Sequence, residues 1–140
     1  MFSIYKMGVG TTAPFQYLPA AAGETVSAGE ALVLSGGKLT KCGATAKPAY
    51  IAVGPADEHG SVPCVEVYPH MQFATTFSAA PASGTTLHVG DRVTLHTDGM
   101  QVTATTASGV AVLKEITEAA AGGAVVVSFA DAAPAAGSGT

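Results

Sequence analysis

Tryptophan is absent from this chain, cysteine occurs twice, and only 11% of the residues carry charge. Each shortage excludes something. Cys42 and Cys64 form no CxxC and no Cys/His cluster, so neither a zinc site nor a disulfide framework is supported, and two buried free thiols are expected. The six bases, Lys6, Lys38, Lys41, Lys47, Arg92 and Lys114, are scattered and outnumbered by ten acids. A phosphate-tracking surface needs clustered Lys and Arg, so no nucleic-acid partner is expected. No run approaches the ~18 consecutive apolar residues of a membrane helix, and the Gly, Thr, Pro and Gln of "MGVGTTAPFQYLPAAA" break the apolar stretch a signal peptide would need. No membrane association is expected.

Catalytic patterns are equally scarce. There is no GxSxG nucleophile elbow, and "GVGTTAP" lacks the Lys of a phosphate loop. His59 lies beside Asp57 and Glu58 in a turn that is expected to be solvated rather than to hold a divalent ion. His88 and His96 share the parity of Arg92 and Thr94, opposite Val89, Val93 and Leu95, and are expected to face solvent; His70 has no evident partner. No catalytic, metal or cofactor-binding residue is assigned, and no enzyme is expected.

What the chain does have is an echo. "VSAGEALVLSGGKLTK" (26–41) is answered by "LHVGDRVTLHTDGMQVTAT" (87–105), with Val26, Gly29, Glu30, Leu32 and Leu34 matching Leu87, Gly90, Asp91, Val93 and Leu95 at constant offset. "KLTKCGATAKPAYIAVG" then parallels "MQVTATTASGVAVLKEI", and "GSVPCVEVY" parallels "GGAVVVSF". Two tandem copies, about 26–68 and 87–129, are read from this. The strand segments alternate apolar and polar residues, and "GG" and "DG" stand where tight hairpins need positive φ. The Gly-acid step before each strand reads as a turn. "KEITEAAAGG" (114–123) has helical composition, but its partner in the first copy is a loop, so a loop or single turn is expected there.

The fold class expected is therefore all-β: a small pseudo-twofold β-barrel or sandwich (23–130) built from the two repeats. An extended N-terminal arm (1–22) precedes it, a linker and extra strand (69–86) carry Phe73, Thr75 and Phe77 on one face, and a low-complexity tail (131–140) follows. The arm holds Phe2, Tyr5, Phe15 and Tyr17, four of the nine aromatics. Large apolar side chains on a segment without hairpin or helix pattern point to docking, either on a partner or back onto the β domain.

The run Tyr17–Gly54, with "AGEAL", "GGKLT" and "PAYIA" in that order, resembles the small head-decoration (capsid cement) proteins of tailed bacteriophages, and "LHVGDRVTLHTDGMQVTATT" and "GGAVVVSF" continue the likeness to Phe129. The resemblance implies a structural virion protein made in the host bacterial cytoplasm and bound to the outer surface of an assembled capsid. It would act as a homotrimer that bridges major capsid protein subunits. Phe2, Ile4 and Tyr5 would anchor the arm on the capsid protein, with Phe15, Tyr17 and Leu18 where it leaves the β domain. Two alternatives stay open. One is a carbohydrate- or cell-surface-binding β module, for which only Tyr50 and Tyr68 stand inside the repeats. The other is a lipoyl- or biotinyl-like carrier with Lys38 at the hairpin tip, although Gly37 and Leu39 are the wrong neighbours for either modification.

Overall fold

The computed structural model describes residues 1–6 and 15–131. Among them there is no helix. Ten strands form two antiparallel five-stranded sheets: β1 (Ser3–Lys6), β2 (Phe15–Pro19), β3 (Ala31–Ser35), β4 (Lys38–Lys41), β5 (Tyr50–Ala52), β6 (Ser61–Glu66), β7 (Gln72–Thr76), β8 (Arg92–Val93), β9 (Ala111–Ile116) and β10 (Ala124–Phe129). One sheet runs β2-β6-β5-β3-β4 and the other β1-β7-β10-β9-β8. The arrangement is a sandwich rather than a closed barrel. The first sheet curls until its end strands touch through one parallel bridge, Ala20 to Leu39; in the second half Phe77, just past β7, bridges Val102 in parallel, and Val102 in turn bridges Leu95.

The duplication is visible bond by bond. Gly29 N–H donates to Ala52 O and Ala52 N–H returns to Glu30 O; sixty-one residues on, Gly90 N–H donates to Leu113 O and Leu113 N–H to Asp91 O. Both turns are closed by the acid. Glu30 Oε1 accepts from Ser27 N–H at 3.0 Å, and Asp91 Oδ2 accepts from His88 N–H at 2.9 Å. Gly29 and Gly90 hold φ of 83° and 99°, a region that costs any residue with a Cβ. Thus the "AGE" and "VGD" steps repeat because the turn needs both residues, one for its backbone and one to satisfy an otherwise unpaired N–H.

The repeat is longer than its sequence signal. β2 pairs with β6 as β7 pairs with β10, and Ala20 N–H meets Gly60 O as Phe77 N–H meets Gly123 O. Each copy therefore begins one strand earlier than 26 or 87. The segment 69–86 carries the first strand of the second copy, and the expected arm 1–22 ends in the first strand of the first. That arm does not stand apart from the β domain: both described ends of it are strands, β1 on the edge of β7 and β2 on β6. The physical reason is that β2 and β6 lie more than forty residues apart in the chain, so no local periodicity announces their pairing.

The sheets share one core. Ala31, Ile51 and Val65 from the first sheet pack with Phe73, Phe77, Val93, Leu95, Leu113, Val127 and Phe129 of the second half. The opposite face of the first sheet buries a smaller cluster of Val26, Leu32, Leu39, Ala52, Val62 and Cys64. Alternation along β5 and β6 sends successive side chains to these two clusters, which is why both strands read as near-continuous apolar runs.

The hairpin tips differ. Gly36 and Gly37, with φ of 60° and 80°, make the tight two-residue turn between Ser35 and Lys38 that "GG" predicts. The "DG" step does not. His96 N–H closes on Gln101 O around four residues, Asp98 Oδ1 accepts from Met100 N–H, and only Gly99 has positive φ. The longer tip reaches the first half, where Gly99 O accepts from Ala31 N–H at 2.7 Å. Lys114–Ile116 completes β9, and turns follow to Gly122, so the helical composition of 114–123 yields to strand pairing.

Candidate partner interface

β1 lies along the outer edge of β7, with Ser3 opposite Ala74 and Ile4 opposite Phe73. Its first residues also clamp the other half. Phe2 N–H donates to Gly29 O at 3.0 Å, and the Met1 ammonium donates to Met100 O, a carbonyl that also accepts from Thr75 Oγ1. Phe2 itself is 2% exposed, edge-on to Phe129 with ring centroids 5.2 Å apart. Burying such a ring contributes on the order of 1.5–3 kcal/mol to the fold. Phe2 is thus a core residue of its own chain, not a side chain offered to a partner: the aromatic packs back.

Its neighbours remain outside. Ile4 and Tyr5 are 36% and 47% exposed, Met1 is 58% exposed, and Tyr17 on β2, at 66%, is the most exposed large apolar side chain among the described residues. Leu18 is half-buried against the smaller cluster. Phe15 opens β2 opposite Val65; its side chain lies outside what the structure describes. Two of the six sequence-derived residues, Phe2 and Ile4, meet at an apolar hollow of about 210 Å³ lined also by Met1, Ala28, Gly29, Ile51 and Val53. Tyr17 and Leu18 belong to the other sheet.

Sequence reasoning missed Met1 and Val53, which rim this hollow with Ile4. Val53 follows β5 in an apolar run, where nothing local distinguishes a side chain that ends outside from those that end inside. Val89 was placed on the buried face with Val93 and Leu95 but is 64% exposed, because it sits in the turn before the alternation begins. Thr94, assigned to the solvent face, is buried, its hydroxyl satisfied by Thr103 Oγ1 at 2.7 Å.

The thiols are free and buried as expected. Burial pushes Cys42 up to about 12 and Cys64 in the same direction, so neither is a ready nucleophile at neutral pH. Asp57 Oδ1 is taken up by the N–H groups of His59 and Ser61, which hold its carboxyl below the usual range. No group of three or more His, Cys, Asp or Glu at metal-binding distance occurs among the described residues. Lys38 is exposed beside the hairpin tip. Set against protein families, curated proteins and solved structures, the chain matches none.

Proposed function

We propose that this chain is a structural virion protein that binds the outer surface of an assembled phage capsid and stabilises it by bridging major capsid protein subunits. The observation that carries the reading is the hollow at the N-terminal strand, where Met1, Ile4 and Val53 leave aliphatic surface exposed around a pre-formed apolar depression. A side chain from a capsid subunit seated there would gain on the order of 1.5–3 kcal/mol. One such contact is weak. Three copies in a homotrimer act together through effective concentration, which turns weak contacts into lasting attachment. The sandwich supplies rigidity, and β1, fixed to β7 and to the Gly29 turn, presents Ile4 without the ordering cost of a loose arm.

The test is co-sedimentation with expanded, DNA-free phage shells. Deleting the N-terminal segment would remove Phe2 from the core, so point variants are the cleaner probe. Ile4→Asp and Val53→Asp are expected to abolish saturable binding while lowering the thermal midpoint by only several degrees, so that the fold is retained at the temperature of the assay. Absence of binding by the unmodified chain would overturn the reading.

A further inference from the structure

At one end of the repeat the first copy departs from the second by carrying polar groups where the second carries aromatic rings. In the second half, the rung Ala111–Phe129 and the neighbouring Phe73 close the end of the interior. Phe73 and Phe129 pack with centroids 5.4 Å apart, and Phe2 completes the plug. The equivalent rung of the first half is Tyr50–Glu66, and the residue equivalent to Phe73 is Gln16, paired with Cys64 as Phe73 is with Val127. A closed aromatic plug has been replaced by an amide, a carboxylate and a phenol at the mouth of an apolar cluster. Gln16, Tyr50 and Glu66 are half-buried, so water still reaches the polar groups that stand where the plug would be.

The replacements are organised. Tyr68 Oη donates to Glu66 Oε1 at 3.0 Å, and Gln16 Nε2 donates to the same oxygen at 3.4 Å. Both donors reach Oε1, which fixes the carboxylate and leaves Oε2 to a ligand. Tyr68 and His70 lie nearly parallel, 10° between planes and centroids 5.8 Å apart, both exposed. Tyr50 stands opposite Glu66 across β5 and β6, and burial, then the Glu66 charge, raise its phenol.

We propose that Gln16, Tyr50, Glu66, Tyr68 and His70 form a binding site for a neutral sugar ring. A pyranose has an apolar C–H face suited to a flat aromatic surface, and vicinal hydroxyls suited to a planar carboxylate and amide held side by side. The carboxylate disfavours acidic sugars. This site lies on different residues from the hollow at β1 and is tested on the isolated chain, so its outcome is separate from that of shell binding.

The experiment is a backbone-amide NMR titration with methyl glycosides of neutral hexoses and N-acetylhexosamines, with tetramethylammonium as a rival probe. Saturable shifts are expected at Gln16, Tyr50 and Glu66–Met71. Tyr68→Ala and the near-isosteric Glu66→Gln are expected to weaken them by about tenfold, equivalent to ~1.4 kcal/mol, with the rest of the spectrum in place. Three results would overturn the proposal: no shifts at millimolar glycoside, shifts with the ammonium probe alone, or glycoside shifts that both variants leave unchanged.

Discussion

Where the second half of the chain carries Phe73, Phe77, Leu113, Val127 and Phe129, the first half carries Gln16, Ala20, Ala52, Cys64 and Glu66 at the paired positions. The backbone hydrogen bonds at these positions correspond and the interiors do not. In the second half large apolar side chains fill the space, and the N-terminal Phe2 seals it. The first half fills its own cluster with smaller groups and leans its other face, through Ile51 and Val65, on the second. One copy thus supplies most of the core, which leaves the other free to carry polar groups at its mouth.

The sharpest way to break this contrast is to cut the same rung in each half. Phe129→Ala is expected to cost ~3–5 kcal/mol, through lost burial and the cavity left between Phe2 and Phe73. Glu66→Ala is expected to stay within about 1 kcal/mol. Urea denaturation of the two variants measures both, and equal losses would mean that the halves share the load.

The two turn-closing acids make a second pair. Glu30 is 2% exposed and takes Lys41 Nζ at 2.8 Å as well as the Ser27 N–H, whereas Asp91 stands 40% exposed beside His88. Glu30→Gln is expected to cost about 2 kcal/mol, below the usual loss for a broken buried pair because Lys41 is half exposed. Asp91→Asn should cost less than about 1 kcal/mol. The hairpin tips follow. Gly99→Ala and Gly37→Ala both place a Cβ at positive φ, at roughly 1–2 kcal/mol each, but at Gly99 it also meets Glu30 Cγ at 3.1 Å while at Gly37 it meets open space. Gly99→Ala is therefore expected to be the worse of the two in thermal unfolding.

The last effect is one of pH and appears only in alkali. Both thiols lie in the first half, and Cys42 stays protonated in the fold up to about 12 while in the unfolded chain it ionises near 9. Between those values the unfolded state binds fewer protons, so stability falls as pH rises. Lys41, raised by its hydrogen bond to Glu30, acts in the same direction: its contribution is complete below the ordinary lysine range and lost above it. Cys42→Ala is expected to delay the onset of alkaline destabilisation, measured by denaturation under reducing conditions from pH 8 to 11.

The parts of this molecule that were legible in sequence are those whose causes are local. Gly29–Glu30 and Gly90–Asp91 could be matched because each turn is closed by its own carboxylate, and "GG" because a two-residue turn needs positive φ at both positions. The strand β7 was legible because Phe73, Thr75 and Phe77 alternate inward. What escaped has distant causes. Nothing in "MFSIYK" says that Phe2 would find Phe129, or that Ile4 would stay at the rim of a hollow floored by Gly29. The Glu66 cluster escaped for the same reason, because Gln16, Tyr50 and Tyr68 converge only once β2, β5 and β6 lie side by side.

The position of β1 also fixes a sequence of events in time. Residues 3–6 precede everything they pair with, yet their edge, β7, is itself set by β10, which ends at Phe129. During synthesis these residues can reach the Gly29 turn early, but their pairing edge is complete only after Phe129 has left the ribosome. Closing so long a loop is slow compared with forming the β3–β4 hairpin. β1 can pair only after the edge of β7 that receives it is set, and a molecule caught before that step is expected to have its other strands paired and Phe2 still in water.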